Sequence, residues 1–300
     1  MPSPSEGSRG QGSRERQSVI TPGLLRGWRL PEREGGKETR GTVLVIGGSR
    51  NTPGAVLLAG IAALRAGAGR LQLAVTESSA TALSIAVPEA KVVGLPETAE
   101  GSVSGDVPEH LLRLVAEADV VAVGPGLDSV PETIAMLRAT LAEAAPSTAF
   151  VLDAYALGAL SKQPGLLKGE ERPVVLTPNL VEAGHLLGEA PGDDLAAVAV
   201  TLAGRYRAAV TLHGHVAAPD GRTWREESGD VGLGTSGSGD VLAGVAAGLL
   251  ARGAEPAQAA CWASFAHAVS GQRLAPRYGR TGFLARELLD EIAYTIGTVG

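Results

Sequence analysis

The stretch Gly232-Leu233-Gly234-Thr235-Ser236-Gly237-Ser238-Gly239-Asp240 runs straight into Val241-Leu242-Ala243-Gly244-Val245-Ala246-Ala247-Gly248-Leu249-Leu250, and it constrains the fold more than any other part of the chain. So dense a glycine run serves neither a strand nor a helix interior. It lets backbone N–H groups turn toward one point, and the apolar run after it reads as a buried helix. Free amides and the positive end of a helix then coincide, an arrangement that binds an anion, most often a phosphate. The single acid, Asp240, falls in the first turn, where it either caps the helix or takes a proton from the group that receives the phosphate. The loop is not a P-loop, since no Lys-Ser/Thr pair follows, nor a dinucleotide GxGxxG opening a first βαβ unit.

The chain before it supplies the other loops of such a site. Val43-Leu44-Val45-Ile46 is a continuous apolar strand broken by Gly47-Gly48-Ser49, and a helix opens at Gly54-Ala55 with Leu57, Ile61, Leu64 and Ala68 on one face. A second strand spans Leu71 to Val75. Strand, helix and strand joined by short glycine turns make a βαβ unit, which implies a parallel sheet with ligands at the carboxyl ends of its strands. The rhythm recurs: a helix over Glu109 to Glu117, a strand over Val120 to Val123, the turn Gly124-Pro125-Gly126, a helix over Pro131 to Ala144 and a strand over Ala149 to Leu152. Asp153 follows that strand directly. Strand Val174 to Leu176 ends in Thr177-Pro178-Asn179, with Glu182 one helical turn on. The last inner strand, Ala209 to Leu212, ends in His213-Gly214-His215, and a hairpin returns through Asp220-Gly221. Helices over Glu255 to Gly271 and Phe283 to Ile296 form an outer layer with apolar faces.

Composition narrows the class. At 300 residues and 44% hydrophobic the chain can bury one large α/β core, and a net charge of −6 leaves no basic footprint for nucleic acid. Its longest apolar runs, around 54–64 and 241–251, are too short to span a membrane. Residues 1–17 are polar and too poor in apolar surface to offset ordering entropy, so they read as a disordered tail ahead of one domain over 18–300. No secretory leader is visible, and the one cysteine, Cys261, reads as a buried structural thiol, so a reducing cytoplasm is expected. Asp153, Glu182 and Asp240 all stand at strand carboxyl ends. Each either caps a helix or takes part in chemistry, and their spacing is too wide for a tight metal cluster but open to a water-mediated Mg²⁺. His213 and His215, two apart at a strand end, face the same way. With no third ligand near, a polar contact to a nucleotide or simple exposure outweighs a zinc site. His110, His185 and His267 lie in helical patterns and receive no role.

Taken together, VLVIGGS with GAVLLAGIAALRAGAG (43–69), VGPGL (123–127), VLDAYAL (151–157), LTPNLVEAGHLLG (176–188) and GTSGSGDVLAG (234–244) resemble, in order, the motifs of the NAD(P)H-hydrate dehydratases of the ribokinase-like superfamily. The resemblance covers about Ile20 to Ile296. It implies a three-layer α/β/α sandwich with a mostly parallel sheet, and a repair enzyme that uses ADP, or ATP, with Mg²⁺ to dehydrate the S form of hydrated NADH and NADPH. In that scheme Asp240 takes the proton of the ring hydroxyl. The amides of Gly237, Ser238 and Gly239 neutralise the transferring phosphoryl group, which then leaves as phosphate. Ala55, Gly126 and Asn179 would touch the hydrated dinucleotide. His213, Gly214, His215, Val216 and Ala217 would line the nucleotide, and Glu182 would reach Mg²⁺ through water. The family relation also implies a homotetramer and a functional link to an NAD(P)H-hydrate epimerase, expected here as a separate protein because the chain before Gly41 is too short to hold that domain.

Three positions depart from the family pattern: Asn179 stands for His, His213-Gly214 for Lys-Gly, and Tyr155 for a second Asp. Asn179 with Glu182 also resembles the Asn-x-x-Glu element of ribokinase-like small-molecule kinases, so a kinase of the same fold, similar to the hydroxymethylpyrimidine phosphate kinases, is the second reading. A non-catalytic nucleotide-binding regulator is the third, and the retained Asp240 argues against it.

Overall fold

The computed structural model describes residues 17–32, 35–229 and 231–300. The expected tail therefore lies outside the described residues except for Gln17. That side chain contacts His215 Nδ1 at 3.2 Å and donates to the Trp224 carbonyl at 3.2 Å.

The chain opens with a two-residue strand β1 (Ser18–Val19) and a short helix α1 (Pro22–Gly27), then alternates strands and helices. The first half comprises β2 (Thr42–Ile46), α2 (Pro53–Arg65), β3 (Arg70–Thr76), α3 (Glu77–Ala86), β4 (Ala90–Leu95), α4 (Glu109–Glu117), β5 (Val120–Val123), α5 (Val130–Glu143), β6 (Ala149–Leu152) and α6 (Tyr155–Lys162). There follow β7 (Val174–Leu176), α7 (Leu180–Leu187), α8 (Leu195–Tyr206), the strands β8 (Ala209–Leu212), β9 (His215–Ala217) and β10 (Thr223–Arg225), and the helices α9 (Ser238–Ala251), α10 (Pro256–Tyr278) and α11 (Ala285–Gly297). The described strands form one sheet in the order β1-β10-β9-β8-β7-β6-β5-β2-β3-β4. Only β9 runs against its neighbours. Along β2 the side chains alternate: Val43 and Val45 enter the core beneath α1, α2, α3, α9, α10 and α11, while Leu44 and Ile46 enter the core beneath α4 to α8. That two-sided apolar strand pattern is what a parallel sheet covered by helices on both faces requires, and the three-layer sandwich is as expected.

The structure adds to or amends the sequence reading at four points. The segment between Thr76 and Glu109 holds α3 and β4, which the pattern did not show because β4 lies at the sheet edge and its side chains are mostly half-exposed. On α2 the deeply buried face is Val56, Ala59, Gly60, Ala62 and Ala63, whereas Leu57, Ile61 and Leu64 are only half-buried. The smaller residues lie deepest because α9 approaches there: a Cβ on Gly244 would sit 2.1 Å from the Ala59 carbonyl oxygen, and one on Gly248 would sit 2.3 Å from that of Ala63. Third, α10 runs on to Tyr278, beyond the expected end at Gly271, although it lies in the outer helical layer as expected. It is buried on most faces, packed on β7, β8 and β9 as well as on α9 and α11. Fourth, His213 and His215 do not face the same way, because the chain reverses at once into β9 through the two-residue turn His213-Gly214. Cys261 is buried and free, as expected, and burial pushes its thiol pKa up.

Candidate active site

The sheet order reverses between β2 and β5: the chain leaves β2 toward β3 and β4, then returns to add β5 on the other side. Loops at such a switch point diverge and leave a crevice at the strand carboxyl ends. Here they are cross-linked. Gly48 N–H donates to the Pro125 carbonyl at 2.9 Å, Ser49 N–H to the Gly126 carbonyl at 2.8 Å, and Thr52 Oγ1 to the same Gly126 oxygen at 2.7 Å. Gly126 has φ +71°, and a Cβ there would lie 2.4 Å from the Thr52 carbonyl oxygen and 3.0 Å from Ala55 Cβ. The structure thus brings Ala55 and Gly126 together.

The packing of α2 on α9 carries the crevice to the glycine loop. Ala59 meets Gly244 and Ala63 meets Gly248, so the two helices run in the same direction and their N-termini lie side by side. One turn earlier in each helix stand Ala55 and Asp240. At the head of α9, Gly237 has φ +87°, and a Cβ on it would sit 2.6 Å from Leu58 Cδ1 of α2. The Ser238 amide is already engaged, donating to the Thr235 carbonyl at 3.2 Å. The amides of Gly237, Gly239 and Asp240 take no acceptor among the described residues, and α9 has no side-chain N-cap. Of the three amides expected to form a cradle, those of Gly237 and Gly239 are unengaged, as is that of Asp240, whereas the turn before α9 uses the Ser238 amide.

Three acids from separate loops converge electrostatically. Burial, then the charge of Glu182, pushes the Asp240 carboxyl up to about 6. Burial, then Glu182 and Asp240, pushes Asp153 up to about 7 against the opposing pull of Thr177, whose Oγ1 donates to Asp153 Oδ1 at 2.8 Å. Glu182 is itself raised, mainly by burial. No group of three metal-ligating side chains forms among the described residues. Ala154, just after Asp153, has φ 47° and ψ −118°, a conformation that costs a non-glycine residue of order 1–3 kcal/mol and clusters at functional sites.

Asn179 and Glu182 prove to be a capping box at the start of α7. Glu182 N–H donates to Asn179 Oδ1 and Asn179 N–H to Glu182 Oε2, each at 2.9 Å. The side-chain oxygen of Asn179 is thus committed to its own helix, and the Asn-x-x-Glu spacing, which suggested a kinase, has a local structural cause. Glu182 keeps its other oxygen. His213 is exposed at φ 48° in the turn that Gly214 completes at φ 84°. His215 is buried, held between Arg225 Nη1 at 2.6 Å and Gln17, and burial followed by the Arg225 charge lowers its pKa. Val216 and Ala217 are fully buried, their side chains in opposite layers of the core. Sequence reasoning missed His267. From α10 its Nε2 lies 2.7 Å from Ser238 Oγ and 3.0 Å from the Ser238 carbonyl oxygen. A lone histidine in an Ala-rich helix gives no sign of which neighbour it faces.

A mostly parallel α/β/α sandwich, with a late glycine loop heading a buried helix and one acid in its first turn, defines the ribokinase-like class. Comparison with known proteins narrows it. The sequence model of the NAD(P)H-hydrate dehydratase family matches residues 43–294. The chain is 44% identical over 289 residues to an ADP-dependent (S)-NAD(P)H-hydrate dehydratase of Xanthomonas campestris, covering 92% of this chain and 95% of the relative. It is 37% identical to a bifunctional NAD(P)H-hydrate repair enzyme of Moorella thermoacetica, where 89% of this chain matches 52% of the relative, so it spans about half the length of such bifunctional relatives. Among solved structures, the ADP/ATP-dependent NAD(P)H-hydrate dehydratase of Bacillus subtilis, co-crystallised with ATP and Mg²⁺, superposes with a TM-score of 0.79 at 27% identity, covering 95% of this chain and 99% of that one. The chain belongs to the NAD(P)H-hydrate dehydratase family.

Proposed function

We propose that this protein dehydrates the S form of hydrated NADH and NADPH at the expense of ADP. One observation carries the reading to particular residues: a carboxylate and unengaged amides at the head of α9 stand beside the Ala55–Gly126 crevice, so base, phosphate cradle and acceptor pocket share one place.

Hydroxide is a poor leaving group, since water has a pKa of about 15.7. Asp240 takes the proton of the ring hydroxyl as its oxygen bonds to the terminal phosphorus of ADP, and the P–O bond to AMP breaks. The amides of Gly237, Gly239 and Asp240 stabilise the charge on the transferring group. The ring nitrogen lone pair then expels phosphate, which departs with the C–O electron pair, and loss of a proton from the adjacent ring carbon restores the double bond. The adenine nucleotide lies along the turn His213-Gly214 and the neighbouring His215. In this assignment Asn179 meets the dinucleotide through its free amide nitrogen.

Asp153, Glu182 and Asp240 are all raised first by burial, and the Glu182 charge raises both aspartates further, so the cluster is an excess of negative charge that suits a divalent cation. Glu182, through its free oxygen, and Asp153 would hold Mg²⁺ by way of water, and Mg²⁺ when bound screens the phosphate charges. The proposal extends to a cytoplasmic homotetramer served by an epimerase. Exposed Leu180 and Val181 are available for subunit contact, and no described helix is long and apolar enough to cross a membrane.

The test is incubation of the purified chain with hydrated NADH, Mg²⁺ and ADP or ATP. Recovery of NADH absorbance with release of phosphate is expected; nucleotide consumption that requires some other alcohol would refute the reading.

A further inference from the structure

His267 is buried in α10 and plays no part in the chemistry above, yet it grips the residue that starts α9. A carbonyl oxygen can only accept, so the 3.0 Å approach of Nε2 to the Ser238 carbonyl places the imidazole proton on Nε2. The same N–H faces Ser238 Oγ at 2.7 Å. Burial holds the ring's pKa down at about 4, so it is neutral at physiological pH and its one nitrogen-bound proton is shared between two atoms of one residue. Among the described residues no other side chain hydrogen-bonds the helix start: Gly237 offers no side chain, α9 has no N-cap side-chain bond, and the backbone there makes only the 3.2 Å bonds from Ser238 N–H to Thr235 and from Val241 N–H to Gly237. Gly239 and Asp240 follow Ser238 directly.

Resting on the dehydratase reading, we propose that His267 is a positioning residue, whose Nε2–H tethers the first turn of α9 and sets the angle at which the Gly239 and Asp240 amides and the Asp240 carboxylate meet the transferring phosphoryl group. The tether reaches the phosphoryl side of the site only. Ala55 and Gly126 stand on other elements and keep their geometry without it.

The experiment compares the full-length protein with His267→Phe, His267→Gln and His267→Asn, measuring kcat, KM for hydrated NADH, ADP affinity by calorimetry and the urea midpoint. For His267→Phe a fall of about 10- to 100-fold in kcat is expected, since misplacement on the order of 1 Å costs that much. ADP affinity should weaken several-fold while KM for hydrated NADH stays within about twofold. His267→Gln, whose amide N–H reaches the position of Nε2–H, should recover most of the loss; His267→Asn, too short to reach Ser238, should not. Wild-type kcat in His267→Phe, or equal kcat in the Gln and Asn variants, overturns the proposal. The Gln and Asn pair decides alone if the Phe variant does not fold. Failure of the dehydratase reading looks different: the wild type itself then leaves hydrated NADH unchanged, and the comparison of ADP affinities still reads the tether.

Discussion

Gly244 of α9 lies so close to Ala59 of α2 that a single added methyl would stand 2.1 Å from the Ala59 carbonyl oxygen. Backbone touches backbone there, and the contact sets how far apart the glycine loop before α9 and the Ala55–Gly126 crevice are. Gly244→Ala is expected to force the helices apart and to lower stability by about 1–3 kcal/mol, as over-packing of a filled core does; urea unfolding followed by circular dichroism measures it. Gly239→Ala is the contrasting variant. No atom lies within 4 Å of a Cβ at Gly239, so its unfolding midpoint should match or exceed the wild type while its ADP affinity drops, because the methyl enters the space assigned to phosphate.

Asp240→Asn removes the base and keeps the shape. The expected outcome is a kcat lower by about 10²–10⁴-fold with ADP affinity largely retained, read by NADH recovery and calorimetry. A near-normal rate would take Asp240 out of the mechanism.

The raised pKa of Asp240 fixes the sense of the pH profile. A base must be deprotonated to act, so kcat/KM should rise with pH through about 6. Glu182→Gln removes the neighbouring negative charge that helps hold that value up, and a glutamine still accepts from the Asn179 amide. The acid limb should therefore move to lower pH, and an unmoved limb would mean that the two carboxyls do not sense each other.

Asp153 bears on stability with the opposite sign to most surface acids. Its carboxyl is raised from 3.8 to about 7 in the folded chain, so the folded state binds the extra proton between those values and stability is lost as pH rises through that window. Asp153→Asn keeps an acceptor for Thr177 and cannot ionise. It should raise the unfolding free energy at pH 8 by up to a few kcal/mol, at about 1.36 kcal/mol per pKa unit, and change it little at pH 4. Equal effects at both pH values would contradict the burial of this charge.

His213→Lys places a permanent positive charge in the exposed turn at the end of β8. ADP should bind several-fold more tightly, as read by calorimetry. Unchanged affinity would separate this turn from the phosphates.

Much of the arrangement was legible in the letters, for identifiable reasons. Strands buried on both faces read as short apolar runs, so β2, β5, β6, β7 and β8 were visible, and with them the loops that follow. Ala55 and Gly126 were singled out by ordered motifs as substrate contacts, and the structure sets the two side by side. What failed did so where side-chain size inverts the usual rule. On α2 the leucine stripe looked like the core face, but α9 comes so near that only Ala and Gly fit between the helices, and the larger residues lie toward the rim. Asn179 and Glu182 carried a capping-box spacing that local geometry explains. The grip of His267 on Ser238 joins residues 29 apart through a tertiary contact, and no periodicity encodes that.

At the far edge of the sheet, the two residues of β1 pair in parallel with β10, Ser18 beside Trp224 and Val19 beside Arg225. So short a strand adds little binding surface, yet it occupies the row of peptide groups that β10 would otherwise offer to a passing chain. A shortened version beginning at Gly41 would keep every motif and still be handicapped. It would bare a sticky flank on the β9–β10 hairpin and invite molecules to zip together there, so trimming this protein for crystallisation or expression should stop short of Gln17.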